Sequence, residues 1–260
     1  MIASASGAGG VTGERVTTPA GGFNPTWQRH VAAYERCAEL LPNGRILDLG
    51  CGVGHSYHLL APRQTVGVDI DPDALAGQER ETHAADMRDL PFPDDDFDGV
   101  LAVQSIEHVP DPERVVAEVR RVLRTGGTAI LVTPNRLTFA RPDEIIDPYH
   151  FVEFSSDELR RLCEPSFETV EMRGLFGSAR YLELVAAERV QLDRLLGRDP
   201  LRLRRLVPRA VRQRLYDRLL SRHREDEDPA AAAIDTSDFE LRSDPVAESL
   251  DLVAVCRGHG

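Results

Sequence analysis

Residues 45–71, RILDLGCGVGHSYHLLAPRQTVGVDID, set the terms for everything around them. Ile46, Leu47 and Leu49 make a short apolar run that ends at Gly50, Gly52 and Gly54. A helix-compatible segment follows, and a second run, Val66-Gly67-Val68, ends on Asp69. Strand, glycine turn, helix, strand and acid form the opening unit of a nucleotide-binding α/β sheet. Glycine lets the backbone bend sharply and approach a ligand with no Cβ in the way. The helix after the turn offers unpaired N–H groups to a carboxylate or phosphate. An acid at the end of the second strand is placed to accept both hydroxyls of a ribose. A dinucleotide turn has glycine at its first, third and sixth positions. Here His55 stands at the sixth, and Gly54 comes one place early.

The segments downstream repeat the unit. Residues 72–79 suit a helix, 82–85 a third strand and 97–103 a buried fourth strand. Asp111 is a good N-cap with Pro112 at the first helical position. Val115, Val116, Val119, Val122 and Leu123 then fall at helical spacing. Gly126-Gly127 is expected to stop that helix before a fifth strand at 128–133. Alternating strands and helices argue for a parallel sheet covered on both faces. Upstream, a helix runs from Asn24-Pro25-Thr26 to about Leu41, with Trp27, His30 and Tyr34 near one face. That face is expected to pack on the domain, with a lid over the site as the sharper alternative.

Composition closes off several function classes. A net charge of −12 argues against a nucleic-acid partner. Cys37, Cys51, Cys163 and Cys256 are scattered without a CxxC pair, which fits a reducing cytoplasm and neither a disulfide framework nor a zinc site. No ligand-spaced cluster suggests a metal. No apolar run approaches bilayer length. All basic residues apart from histidine are arginines; without a lysine, nicotinamide oxidoreduction through a Tyr-x-x-x-Lys pair is excluded.

The turn D-L-G-C-G-V-G, with the acid Asp48 ahead of alternate glycines, resembles the first motif of the S-adenosylmethionine-dependent methyltransferases. DLPFPDDDFDGVLA, IEHVPDP and RVLRTGGTAILVTPN resemble the later segments of its small-molecule branch, closely over 45–135 and more loosely over 150–175. The resemblance implies a Rossmann-like α/β fold of seven mostly parallel strands, the last antiparallel. Residues 167–173 and 249–256 would supply the sixth and seventh. The division expected is a disordered tail at 1–22, a core at 23–178, a helical insertion at 179–238 and a completing strand within 239–260. Within the insertion, the arginine-rich span 199–224 is expected to pack as a cap. Its alternative is a contact with an anionic membrane or a phosphate-bearing substrate.

The resemblance also implies S-adenosylmethionine as cofactor. Gly50, Cys51, Gly52 and Gly54 would line its methionine and ribose portions, and Asp48 would anchor the amino group, directly or through water. Asp69 would bind the ribose hydroxyls, and Ile70 would flank the adenine. Asp86 and Met87 would read the adenine, and Gln104 would lie beside the methyl donor. His108 occupies the position of a base near the acceptor, Glu107 can orient it or act itself, and His150 is a second candidate. The expected reaction is methyl transfer to an oxygen of a sugar, quinol-like or secondary-metabolite acceptor. Nitrogen or carbon acceptors are the alternative within the family, and a protein that binds the cofactor without turnover is the alternative outside it.

Overall fold

A computed structural model describes residues 25–139, 145, 147–196, 207–208, 211–214 and 229–258. One eight-stranded sheet runs through it in the order β3-β2-β1-β4-β5-β8-β6-β7. The parallel part comprises β1 (Arg45–Leu49), β2 (Gln64–Asp69), β3 (Glu81–Ala84), β4 (Phe97–Val103) and β5 (Leu123–Pro134). β8 (Asp251–Arg257) lies antiparallel between β5 and β6 (Thr169–Gly177). β7 (Phe239–Arg242) pairs antiparallel with the outer side of β6.

The central strands are apolar on both faces because both faces are covered, as parallel sheets require. On one side Leu47, Val66, Val100, Ala129 and Leu131 meet the valines of α3 (Pro112–Val122) and Leu159 of α5 (Ser156–Cys163). On the other, Ile46, Leu101, Ile130 and Val253 meet Ala33, Tyr34 and Cys37 of α1 (Pro25–Ala38) and Tyr181 of α6 (Ala179–Leu196). The valine stripe of α3 is buried along its length, as its spacing predicts.

Several boundaries differ from the expectation for local reasons. The link from β1 to β2 holds a 3-10 turn, His58–Leu60, and no α-helix. Gly54 is left-handed at φ +78° and Pro62 follows, so only residues 55–61 were free to coil, too few for a stable helix. The helix expected at 72–79 is the single turn α2, Pro72–Leu75. Asp111 does not cap α3 with its side chain; it pairs with Arg88 at 3.3 Å. β5 starts directly after α3 and runs through the Gly126-Gly127 pair expected to separate them. By contrast, Ser155 and Glu158 form the capping box that opens α5.

The extra strand β7 arises from the alternation Phe239-Glu240-Leu241-Arg242, with Phe239 buried and Glu240 out. It is too short to stand out in the sequence. One carboxylate ties it to α6. Asp238 accepts from Ser178 Oγ and from Arg180 Nε and Nη2 at 2.5–2.6 Å, and from Asp235 N at 3.0 Å. Of the arginine-rich span, only 207–208 and 211–214 are described, with Val211 exposed; the rest of it, like the expected tail at 1–22, lies outside the described residues. No helix among the described residues is long and apolar enough to cross a membrane.

Candidate active site

The strand order reverses at β1, whose neighbours are β2 and β4. The crevice beyond the carboxyl ends of these strands is where open α/β sheets place ligands. A cavity of about 360 Å³ lies there, within the size range of small-molecule sites.

Its floor is the turn after β1. Gly50 N and Cys51 N both donate to Val68 O, at 2.8 and 2.9 Å, which folds the turn back over β2. Gly50 has φ +75°, and a Cβ there would lie 2.4 Å from Ser105 Cβ. Gly52 is also left-handed, at φ +52°, with open space where its Cβ would be. Gly50, Cys51 and Gly52 line the cavity. Gly54 does not; the space over it is filled by Gln78, whose amide donates to Gly52 O at 2.8 Å. Burial, reinforced by the charge of Asp48, pushes the Cys51 thiol up to about 12, so it stays protonated.

Asp69 ends β2 in the cavity wall. Its Oδ2 accepts from Gly52 N and its Oδ1 from Asp71 N, both at 2.9 Å. Two backbone donors therefore orient the carboxylate while part of its edge remains on the cavity. Ile70 and Met87 add apolar wall, and Asp86 stands beside them. Asp86 is paired with Arg88 at 2.7 Å, and the Arg88 guanidinium holds its carboxyl below the usual range.

Asp48 is not placed for direct contact with a ligand in the cavity. It is fully buried beneath the turn and accepts from Tyr34 Oη at 2.9 Å and Ser56 Oγ at 2.5 Å. Arg80 Nη1 pairs with it at 2.8 Å. The carboxylate is consumed by these three and is no part of the cavity wall. A charge buried among strand residues must be paired, and these groups pair it.

Gln104 lies in the wall just past β4, in the left-handed region at φ +52°. Its amide donates to Asp251 Oδ1 at 2.7 Å, and Asp251 Oδ2 lies 3.3 Å from Arg29 Nε. Asp251 is fully buried, and burial raises its pKa against the pull of Arg29 and Gln104. Nothing in the local sequence announces this pair, because Gln104 and Asp251 are far apart in the chain.

α1 supplies a second wall. His30 and Tyr34 line the cavity, and Trp27 stacks near His55 at 4.6 Å. Packing and site-building are thus the same surface. Burial, with the charges of His55, Arg29 and His108, holds His30 well below the ordinary imidazole value. His55, lining the cavity without the expected helix beneath it, is lowered by burial as well. Both rings are neutral near pH 7. Ser105, Arg88 and Phe151 also line the cavity and were not singled out. Ser105 and Arg88 directly follow residues that were.

Of the three candidate bases, His108 alone lines the cavity. Glu107 is fully buried behind it, accepting from Thr133 Oγ1 at 3.0 Å. His150 lies ring to ring with His108, centroids 5.1 Å apart. Its Nδ1 is 2.9 Å from Glu153 Oε1. Burial lowers the His150 pKa, but Glu153, Glu107 and Asp147 outweigh it, and the net direction is up.

Comparison with known proteins gives this arrangement its family. A methyltransferase-domain model matches residues 47–131. A protein of Mycolicibacterium smegmatis named as an S-adenosylmethionine-dependent methyltransferase is 33% identical, over 94% of this chain and 93% of its own. A like-named protein of Mycobacterium tuberculosis is 32% identical, over 94% and 88%. A SAM-dependent methyltransferase structure from Thermotoga maritima shares the fold, with TM-score 0.58, 18% identity, and 89% and 88% of the two chains covered. The chain belongs to the S-adenosylmethionine-dependent methyltransferases, and S-adenosylmethionine is its cofactor.

Proposed function

We propose that the chain transfers the methyl group to an oxygen of a small-molecule acceptor, of the sugar, quinol-like or secondary-metabolite kind. The observation that carries this reading is His108 in the cavity wall with Glu107 and His150 directly behind it. A hydroxyl must lose its proton as the new bond forms, and such a cluster promotes that loss. A free amine has a lone pair already and needs no such cluster.

The cofactor supplies an activated methyl group on a sulfonium. The residues present fit it. Asp69, oriented by two N–H groups, takes the ribose hydroxyls, and the left-handed backbone at Gly50 and Gly52 lets the ligand come close. Ile70 and Met87 face the adenine, with Asp86 at its amino group and Arg88 fixing Asp86. Gln104, held by Asp251, stands by the methyl donor. In-line displacement depends on alignment, and these held groups provide it. The neutral imidazoles of His30 and His55 give the acceptor side polar contacts without repelling a sulfonium. Asp48 and Gly54 support the turn from below.

Calorimetry with S-adenosylhomocysteine tests the cofactor half. Asp69→Ala should weaken binding by about 10-fold or more, the worth of a charged hydrogen bond. Product mapping over hydroxyl and amine acceptors tests the other half. A methyl group found on nitrogen, or turnover unchanged in His108→Ala, overturns the oxygen reading.

A further inference from the structure

We propose that Glu107, His108 and His150 form a binding site for a divalent transition-metal ion. One ligand atom from each lies within 4.8 Å of the others. The cluster crosses two loops that the sequence keeps apart, so no ligand spacing reveals it. The loops are joined at the backbone, where Phe151 N donates to Glu107 O at 2.8 Å.

The second observation is Glu107 itself. Its side chain is fully buried, Oε2 is occupied by Thr133, and Oε1 has no hydrogen-bond partner among the described residues. A buried carboxylate oxygen without a donor is costly, and a cation removes that cost. His150 Nδ1 sits 2.9 Å from Glu153 Oε1, and His108 Nδ1 sits 3.3 Å from Tyr149 O. With the proton of each neutral ring at Nδ1, toward that oxygen, Nε2 is the nitrogen offered to the ion, which is how metal-binding histidines are held. Asp147 Oδ2, 3.9 Å from His150 Nε2, adds a second acid at the rim. Two imidazoles and a carboxylate suit zinc, iron(II), nickel or cobalt in preference to magnesium or calcium.

Binding of the ion stands apart from the methyl-transfer reading, whereas its role rests on that reading. An acceptor hydroxyl coordinated there becomes more acidic and gives its proton to solvent. The oxygen lone pair then bonds to the methyl carbon as the carbon–sulfur pair returns to sulfur, leaving a neutral thioether.

Cobalt(II) titration of the full chain, read by visible absorption and reversed by zinc(II), tests the site. One equivalent should bind, with affinity lowered at least about tenfold by His150→Gln and by Glu153→Ala, which removes only the supporting carboxylate. Circular dichroism confirms that each variant is folded, and Glu153→Ala leaves the three ligands in place. No saturable change up to millimolar cobalt(II), or one unaltered in both folded variants, overturns the site. S-adenosylhomocysteine calorimetry on the same samples separates the two claims. Cofactor heat without cobalt binding removes the metal site alone. Variant-sensitive cobalt binding without cofactor heat upholds the site and removes its assigned role.

Discussion

Gly50 and Gly52 share a left-handed backbone but differ in what surrounds them. An L side chain in that region costs about 1–2 kcal/mol. At Gly52 this is the whole penalty, because its Cβ would meet open space. At Gly50 the Cβ would also overlap Ser105 Cβ at 2.4 Å, so β1 and the end of β4 would have to part. Gly50→Ala should therefore lower the melting temperature clearly more than Gly52→Ala, by about 2–4 °C for each further kcal/mol. Equal shifts in differential scanning calorimetry would contradict that account. At this scale the sequence was informative where the constraint is local. The glycines of the turn and Asp69 at the strand end follow from chain geometry. What holds Asp48 was not legible for the opposite reason: its partners Tyr34 and Arg80 come from other elements, and only the fold reveals that they converge on it.

Between elements, Asp238 is the clasp that joins α6 to β7. The Arg180 guanidinium, with Ser178 and the Asp235 N–H, holds its carboxyl down to about 2 against the pull of burial. A carboxylate whose pKa falls on folding stabilises the fold above its ordinary value near 3.8, and that contribution disappears as pH drops toward 2. Arg180 is half exposed, so solvent screens the pair and its contribution is modest. Asp238→Asn should show less loss of urea resistance than the native chain between pH 5 and pH 2.5. Parallel curves would dismiss the clasp. Elements with strong periodicity, such as the valine stripe of α3 and the run of β4, were legible from sequence. The helix expected after β1 failed because a left-handed glycine and a proline outweigh the propensity between them. β7 escaped notice because four residues carry little periodic signal.

Across the whole molecule, one buried carboxylate fastens four parts of the chain. Asp48 of β1 holds Tyr34 of α1, Ser56 of the turn and Arg80 just before β3. Removing its charge strands the Arg80 guanidinium, itself only 8% exposed. Asp48→Asn should cost about 3–5 kcal/mol in denaturant unfolding. A change below about 1 kcal/mol would show that the network carries no such weight. The parallel sheet covered on both sides was legible because repeated strand–helix order has few solutions, whereas the antiparallel strand late in the chain was legible only through the family resemblance. The links that complete the cavity were not, since they join residues as distant as Gln104 and Asp251.

That last link bears on how the protein is made. β8 comes late in the chain yet fills the gap between β5 and β6, and its first residue steadies Gln104. On the ribosome, where earlier segments emerge first, β1 to β5 can gather while β5 still has an open edge. The wall around Gln104 is thus complete only once β8 has emerged, and a product stopped before β8 presents the bare edge of β5 to its neighbours.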